Sequence, residues 1–142
     1  MRPARAARYV CVDSSVVFKW FCSEDEDAVD AALALFEEHR MGRILLVAPP
    51  HLPAEVLNAL ARRERVTSAD LALAAEALAE SGIVYPAWDT ELLVGATGLA
   101  REHRMTVYDA LFPALAMGLE CELVTADRAH ARVRECGVRV LR

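Results

Sequence analysis

Lysine is nearly absent from this 142-residue chain: Lys19 is the only one, and arginine supplies the other cations. That scarcity excludes a phosphoacceptor receiver domain, a five-stranded α/β unit that needs a lysine after its last strand. Positive charge is also short overall. With 16 basic and 21 acidic residues the formal net charge is −5, the opposite of a protein that grips nucleic acid through bulk potential. Any action on nucleic acid must therefore be local, through a metal or an arginine patch. Paired cysteine motifs are missing as well. Cys11, Cys22, Cys121 and Cys136 lie among apolar residues with no C-x-x-C, which argues against a zinc site or a disulfide framework and fits reduced thiols. No apolar run approaches the roughly 18–20 residues that a bilayer span requires. Met1 to Arg8 carries positive charge without an apolar segment of signal-peptide length behind it, so export is not expected and a cytoplasmic location is. Gly-rich phosphate loops and the G-x-S-x-G elbow are absent too.

What is present is a globular composition. A hydrophobic share of 55% and a charged share of 26% exclude disorder and a low-complexity fibre. The length suits a single domain over residues 1–142, with 1–7 expected to be flexible. Short apolar runs alternate with helical stripes. Tyr9-Val10-Cys11-Val12 stops at Asp13-Ser14-Ser15 and reads as a buried strand ending in a helix cap, with a short helix over 15–21 to follow. The acidic run Glu24-Asp25-Glu26-Asp27 suits a helix N-terminus. Behind it Val29, Ala32, Leu33 and Phe36 fall at i, i+3, i+4 and i+7, the clearest amphipathic stripe in the chain. Ile44-Leu45-Leu46-Val47 is a second strand, stopped by Pro49-Pro50. Helices are expected over 52–63, with Val56, Leu57 and Leu60 inward, and over 69–80. Ile83-Val84-Tyr85 reads as a third strand, Leu92, Ala96, Leu99 and Ala100 mark a helix, and another starts near Tyr108-Asp109. Glu122-Leu123-Val124-Thr125 is a fourth strand, 127–135 the last helix, and Val138-Arg139-Val140-Leu141 a fifth strand. Such alternation argues an α/β fold: one parallel sheet of about five strands with helices on both faces.

Two acids directly follow strands. Asp13 follows the first, and Asp127 follows the fourth in Val124-Thr125-Ala126-Asp127-Arg128. Open α/β sheets bind ligands beyond the carboxyl ends of their strands, so the pair marks a candidate site if those strands are neighbours. Two more acids interrupt apolar surroundings: Glu55, with Asn58 one turn on along the same face, and Asp109 at a helix start. Singly, each has an ordinary explanation, since Asp at a helix start is a cap and Glu55 is a solvated helix residue. Together, four carboxylates without a neighbouring lysine repel and raise one another's pKa. A hard divalent cation with oxygen ligands, Mg²⁺ or Mn²⁺, relieves that repulsion. The histidines His39, His51, His103 and His130 show no metal-ligand spacing and read as structural or solvated.

Four blocks of the chain resemble the PIN-domain ribonucleases, most closely their VapC-type toxins. They are Val12-Asp13-Ser14-Ser15-Val16, Pro49 through Glu55-Val56-Leu57-Asn58-Ala59-Leu60, Tyr108-Asp109-Ala110-Leu111-Phe112 with Ala114-Leu115-Ala116, and Leu123-Val124-Thr125-Ala126-Asp127-Arg128. Their order and approximate spacing also match, so the resemblance covers nearly the whole chain. It implies a sheet ordered 3-2-1-4-5, which would set the first and fourth strands side by side. It also implies a Mg²⁺- or Mn²⁺-dependent endoribonuclease, usually a homodimer, silenced by a small VapB-like cognate antitoxin. Residue by residue, Asp13, Glu55, Asp109 and Asp127 match the catalytic, metal-ligating acids, while Ser15, Asn58 and Thr125 match the polar positions that support them.

The chemistry accords with such ligands. Hydrolysing an RNA phosphodiester adds negative charge at the phosphorus oxygens, and carboxylates alone would repel it; a metal reverses the local sign and activates a water. Arg128, Arg132, Arg62 and Lys19 are expected at the rim, meeting phosphates or simply solvated. Pro113 is tolerable if its helix starts at Asp109 and kinks the helix if it starts earlier. Two alternatives stand beside the toxin: a catalytically silent binding module of the same fold, and an RNA-processing nuclease without an antitoxin.

Overall fold

The computed structural model of the chain describes residues 6–142. The flexibility expected for 1–7 therefore falls, at 1–5, outside the described residues. Four parallel strands make the sheet: β1 (Arg8–Val12), β2 (Ile44–Val47), β3 (Glu122–Thr125) and β4 (Val138–Val140), in the spatial order β2-β1-β3-β4. β1 and β3 are neighbours, with Val10 opposite Glu122 and Val12 opposite Val124. The expected third strand shrinks to one parallel bridge from Val84 to Val47 at the outer edge of β2. Its place in the order is the expected one, but Gly82 turns the chain at φ +77° and Pro86 cannot donate to a ladder. Only three residues lie between them, too few for a strand.

The helices are α1 (Ser14–Phe18), α2 (Val29–Arg40), α3 (Leu52–Ala61), α4 (Ser68–Glu80), α5 (Thr90–His103) and α6 (Val107–Gly118). Val10, Cys11 and Val12 of β1 are all fully buried, so both faces of the central strand are covered, as parallel sheets require. Cys11 Sγ donates to the Phe112 carbonyl, which sets one face of β1 against α6. α5 packs on α6, α3 packs on α1 and α4, and α2 covers β2.

Three elements differ from expectation. α2 begins at Val29, its N-cap Ala28 left-handed at φ 52°, so the acidic run 24–27 lies in the preceding loop. Its buried face is Ala32, Leu35 and His39, and Leu33 is 45% exposed. Trp20 explains the rotation: its Nε1–H donates to the Ala32 carbonyl at 2.9 Å and its ring packs 4.7 Å from Phe36. His39 replaces the expected leucine contact with two hydrogen bonds. Its Nδ1 accepts from the Leu46 amide and its Nε2 meets the Ser81 carbonyl. The last expected helix is a single 3-10 turn, Arg128–Arg132. Finally, α6 starts at Val107, two residues before Asp109, which leaves Pro113 inside the helix. The backbone bond that Pro113 cannot make is the one to the carbonyl of Asp109, four residues earlier.

Candidate functional site

The first and third strands of the sheet end side by side, and the Asp13 amide donates across to the Val124 carbonyl at 3.2 Å. This is where strand order reverses: the chain leaves β1 for β2 on one side and later returns to β3 on the other. Asp13 N-caps α1 through the Ser15 amide, 3.0 Å from its Oδ1. Capping alone does not account for the rest of its environment. The Ser15 hydroxyl donates to Oδ1 and the Thr125 hydroxyl to Oδ2, each at 2.5 Å, and His130 Nε2 lies 3.2 Å from Oδ2. The same hydroxyls bind the far strand end, Ser15 Oγ accepting from the Ala126 amide and Thr125 Oγ1 from the Asp127 amide, each at 2.9 Å. Asp13 is 2% exposed. Burial pushes its pKa above the ordinary carboxylate value, and the hydrogen bonds from Ser15 and Thr125, then the nearby His130, pull it part of the way back.

Glu55 sits in the first turn of α3, with the Ser14 hydroxyl 3.5 Å from its Oε2. His51, four residues earlier and so on the same helical face, places Nε2 2.9 Å from Glu55 Oε1. That Nε2 is also 3.0 Å from the Tyr108 carbonyl. Its single N–H is aligned on the carbonyl, and Glu55 Oε1 is left buried without a hydrogen bond. Asp109 is half-buried in the first turn of α6, where its own amide is capped by Thr106 Oγ1 at 3.0 Å. Asp127 is exposed, and its Oδ1 accepts from the Ala129 amide at 2.9 Å to cap the 3-10 turn. Two chains of contact thus approach each other: Asp13 to Thr125 to Asp127, and Glu55 to His51 to Tyr108 beside Asp109. Phe112 lies between them, its ring 5.0 Å from His51 and 6.3 Å from His130.

The remaining expected residues fall less close. Asn58 is exposed and makes no side-chain hydrogen bond among the described residues. Arg62, Arg128 and Arg132 are exposed, Arg132 Nε donating to the Ala129 carbonyl. Lys19 departs from the expectation of a phosphate-facing rim. It is buried, and its ammonium pairs with Glu26 at 3.2 Å and Asp27 at 3.4 Å. The charge that recruits Lys19 is the acidic loop displaced from α2.

His51 and His130 are the residues that sequence reasoning missed. Both side chains are more than nine-tenths buried, both lie against a candidate acid, and each keeps a buried Nδ1 without a partner. A signal existed for His51, in its i, i+4 spacing to Glu55 on a predicted helix. His130 gave no such signal, because its contact with Asp13 spans the sheet.

The donor set fits a hard divalent cation: four carboxylates, none ion-paired to lysine or arginine among the described residues, with an unpartnered oxygen on Glu55. No three of these acids bring ligand atoms within 4.8 Å of one another. The only described group that does so is Glu102, His103 and Glu135. A cation such as Mg²⁺, which keeps several of its waters and takes one or two carboxylates directly, does not need three of them in one cluster.

A sequence model of the family described as "PIN domain" matches residues 10–135. No curated protein matches the chain. Among solved structures, it is similar to VapBC2 from Rickettsia felis bound to a DNA fragment from its promoter, at 11% identity and a TM-score of 0.68, covering 94% of this chain and 99% of that one. It is similar to a toxin-antitoxin complex from Klebsiella pneumoniae at 15% identity and 0.67, covering 94% and 98%. It is also similar to VapC20 of Mycobacterium tuberculosis, described as a sarcin-ricin loop cleaving toxin, at 15% and 0.67, covering 87% and 95%. At such identities the likeness is one of fold.

Proposed function

The chain belongs to the PIN domain family, and on that premise we propose that it is a metal-dependent endoribonuclease, a hydrolase of RNA phosphodiester bonds acting as the toxin of a toxin–antitoxin pair. One observation carries the reading: Asp13, buried at the switch point of the sheet, is held there by Ser15 and Thr125. A stability role alone gives no reason to bury the Asp13 carboxylate at a strand end, since a buried charge costs free energy there.

Asp13, Glu55, Asp109 and Asp127 would hold Mg²⁺ or Mn²⁺, which when bound supplies positive charge for the phosphate and a more acidic water. The chain's own groups do the rest. Ser15 and Thr125 donate to opposite oxygens of Asp13 and so hold its carboxylate in one orientation. To Glu55, at the start of α3 beside the Ser14 hydroxyl, falls the role of orienting a water or taking its proton. Arg128 and Arg132, exposed on the turn after Asp127, are suited to meet flanking phosphates, with Arg62 further along α3. Similarity to structures described as toxin-antitoxin complexes supports an antitoxin partner, and a cytoplasmic homodimer completes the proposal. Among the described residues no helix is long and apolar enough to cross a membrane.

The test is cleavage of a structured RNA by purified, antitoxin-free protein in Mg²⁺, Mn²⁺ or EDTA, with Asp13→Asn beside wild type. Discrete products that need the metal and vanish in the variant are expected. Cleavage that survives both EDTA and Asp13→Asn would sink the assignment. A silent binding module is the second reading, favoured by the three hydrogen bonds that Asp13 already accepts. Calorimetry separates the two: a silent module takes up neither cation.

A further inference from the structure

Beside the carboxylates lies a group of rings that this chemistry does not use. Three aromatic side chains surround His51: Phe112 at 5.0 Å between ring centroids, Tyr108 at 5.8 Å and Trp88 at 5.9 Å. Phe112 is buried and belongs to the core. Trp88 and Tyr108 do not, being 44% and 64% exposed. Leaving two large rings in water forgoes apolar burial, and here both lie within 5.9 Å of an imidazole that is itself 2.9 Å from Glu55. Tyr108 is held through its backbone, and Trp88 directly precedes a helix cap. The Tyr108 carbonyl accepts from His51 Nε2, and Asp89, directly after Trp88, caps α5 through the Leu92 amide at 2.7 Å. Tyr108 also directly precedes Asp109 in α6.

We propose that Trp88 and Tyr108 form a stacking platform for an unpaired nucleobase of single-stranded RNA, adjoining the phosphodiester that the carboxylates act on. The ligand's identity rests on the nuclease reading above; the platform itself rests on the rings. Two physical arguments favour a base as the occupant. A chain of net charge −5 lacks the bulk positive potential that usually supplies affinity for nucleic acid, and stacking on aromatic faces supplies it without charge. Two carboxylates adjoin this group, Glu55 at 2.9 Å from His51 and Asp109 directly after Tyr108. An apolar protein surface laid over it would bury those carboxylates unpaired, at high cost. A planar base can rest on the rings and leave its sugar–phosphate toward the acids. Bases in a duplex have both faces covered by their neighbours, so the platform selects single strands.

The experiment is an anisotropy titration of a labelled single-stranded oligoribonucleotide in Mg²⁺ buffer, intact and with abasic positions. Wild type, Trp88→Ala and Trp88→Phe are compared, with cleavage of the same RNA followed in parallel and folding checked by circular dichroism. Removing the bases and removing the Trp88 ring are each expected to weaken binding about tenfold or more. Both together should cost little more than either alone, because they delete the same contact. Trp88→Phe, which keeps a ring, should restore most of the affinity, and the duplex form should bind less tightly than the single strand. Equal affinity of wild type and Trp88→Ala for intact RNA, with cleavage proceeding in both, would overturn the platform and leave the nuclease reading standing. Folded wild type that neither binds nor cleaves RNA would overturn both. Loss of self-association in Trp88→Ala with RNA affinity unchanged would overturn the platform by assigning the rings to a second copy of the chain.

Discussion

Asp13 is a carboxylate held by one amide and two hydroxyls, with an imidazole 3.2 Å from its Oδ2. Those groups offset only part of the cost of burial, since its pKa remains raised. A carboxyl whose folded pKa exceeds its unfolded value binds a proton more tightly when folded. Its contribution to stability is therefore fully present below the unfolded value, near 4, and is lost as pH rises through the folded value. Asp13→Asn, which removes the charge and keeps the shape, is expected to melt at a higher temperature than wild type at pH 7.5 without divalent cations. The gap should narrow as pH falls toward 4, and also when Mg²⁺ is added to wild type. A melting series in which Asp13→Asn is the less stable protein at every pH would contradict this account. The thiols are the opposite case, buried groups with nothing to hold a charge. Burial pushes Cys136 up to about 11 and Cys11 well above the usual thiol value, which fits inert cysteines of the core.

At the scale of the element, α6 shows how one helix can carry packing and chemistry together. Seven consecutive residues from Ala110 to Ala116 are buried, so the middle of the helix is enclosed and Asp109 stands just outside it, in the first turn. Its position depends on the cap. Thr106 Oγ1 accepts from the Asp109 amide at 3.0 Å, while Pro113 leaves the Asp109 carbonyl without its usual helical donor. Thr106→Ala is expected to destabilise the protein by about 1 kcal/mol, seen in urea as a lower midpoint with an unchanged slope. If Asp109 takes part in catalysis, cleavage should fall by more than the stability loss explains. α2 teaches a different lesson. Its apolar residues permit more than one inward face, and the contacts of Trp20 and the hydrogen bonds of His39 select the one that is used.

Over the whole molecule, the parallel sheet brings together residues more than a hundred positions apart. Asp13 and Thr125 are separated by 112 residues and share a hydrogen bond because the path of the chain reverses between β1 and β3. Charge is organised at the same scale. Lys19 and Arg63 are turned inward onto Glu26 of the acidic loop, which leaves Arg62, Arg128 and Arg132 as the proposed phosphate contacts. Single-stranded binding changes with log salt by about −0.7 per phosphate neutralised. Three arginines therefore predict a shallow slope, no steeper than about −2, in an affinity titration across salt concentration. A much steeper slope would mean that a broader basic surface, such as that of a partner subunit, takes part.

Much of this was legible in the residues. Short apolar runs between helical stripes read as a parallel α/β sheet, because strands buried on both faces need no alternation and the crossovers need helices. The sequence marks both ends of Glu122–Thr125 and Ile44–Val47 as the fold has them, since a charge, a proline or an acid stops each run. The four acids stood out because they interrupt apolar surroundings. Tertiary structure decided the rest. It shortened the third strand to a bridge and turned the inward face of α2. It also drew Lys19 away from the rim and placed His130 against Asp13 and His51 between Glu55 and two exposed rings. Local pattern reports the backbone state and average burial of a segment, which depend on near neighbours. Which side chains meet at the end of a sheet depends on strand order, and that is set by the packing of the whole chain.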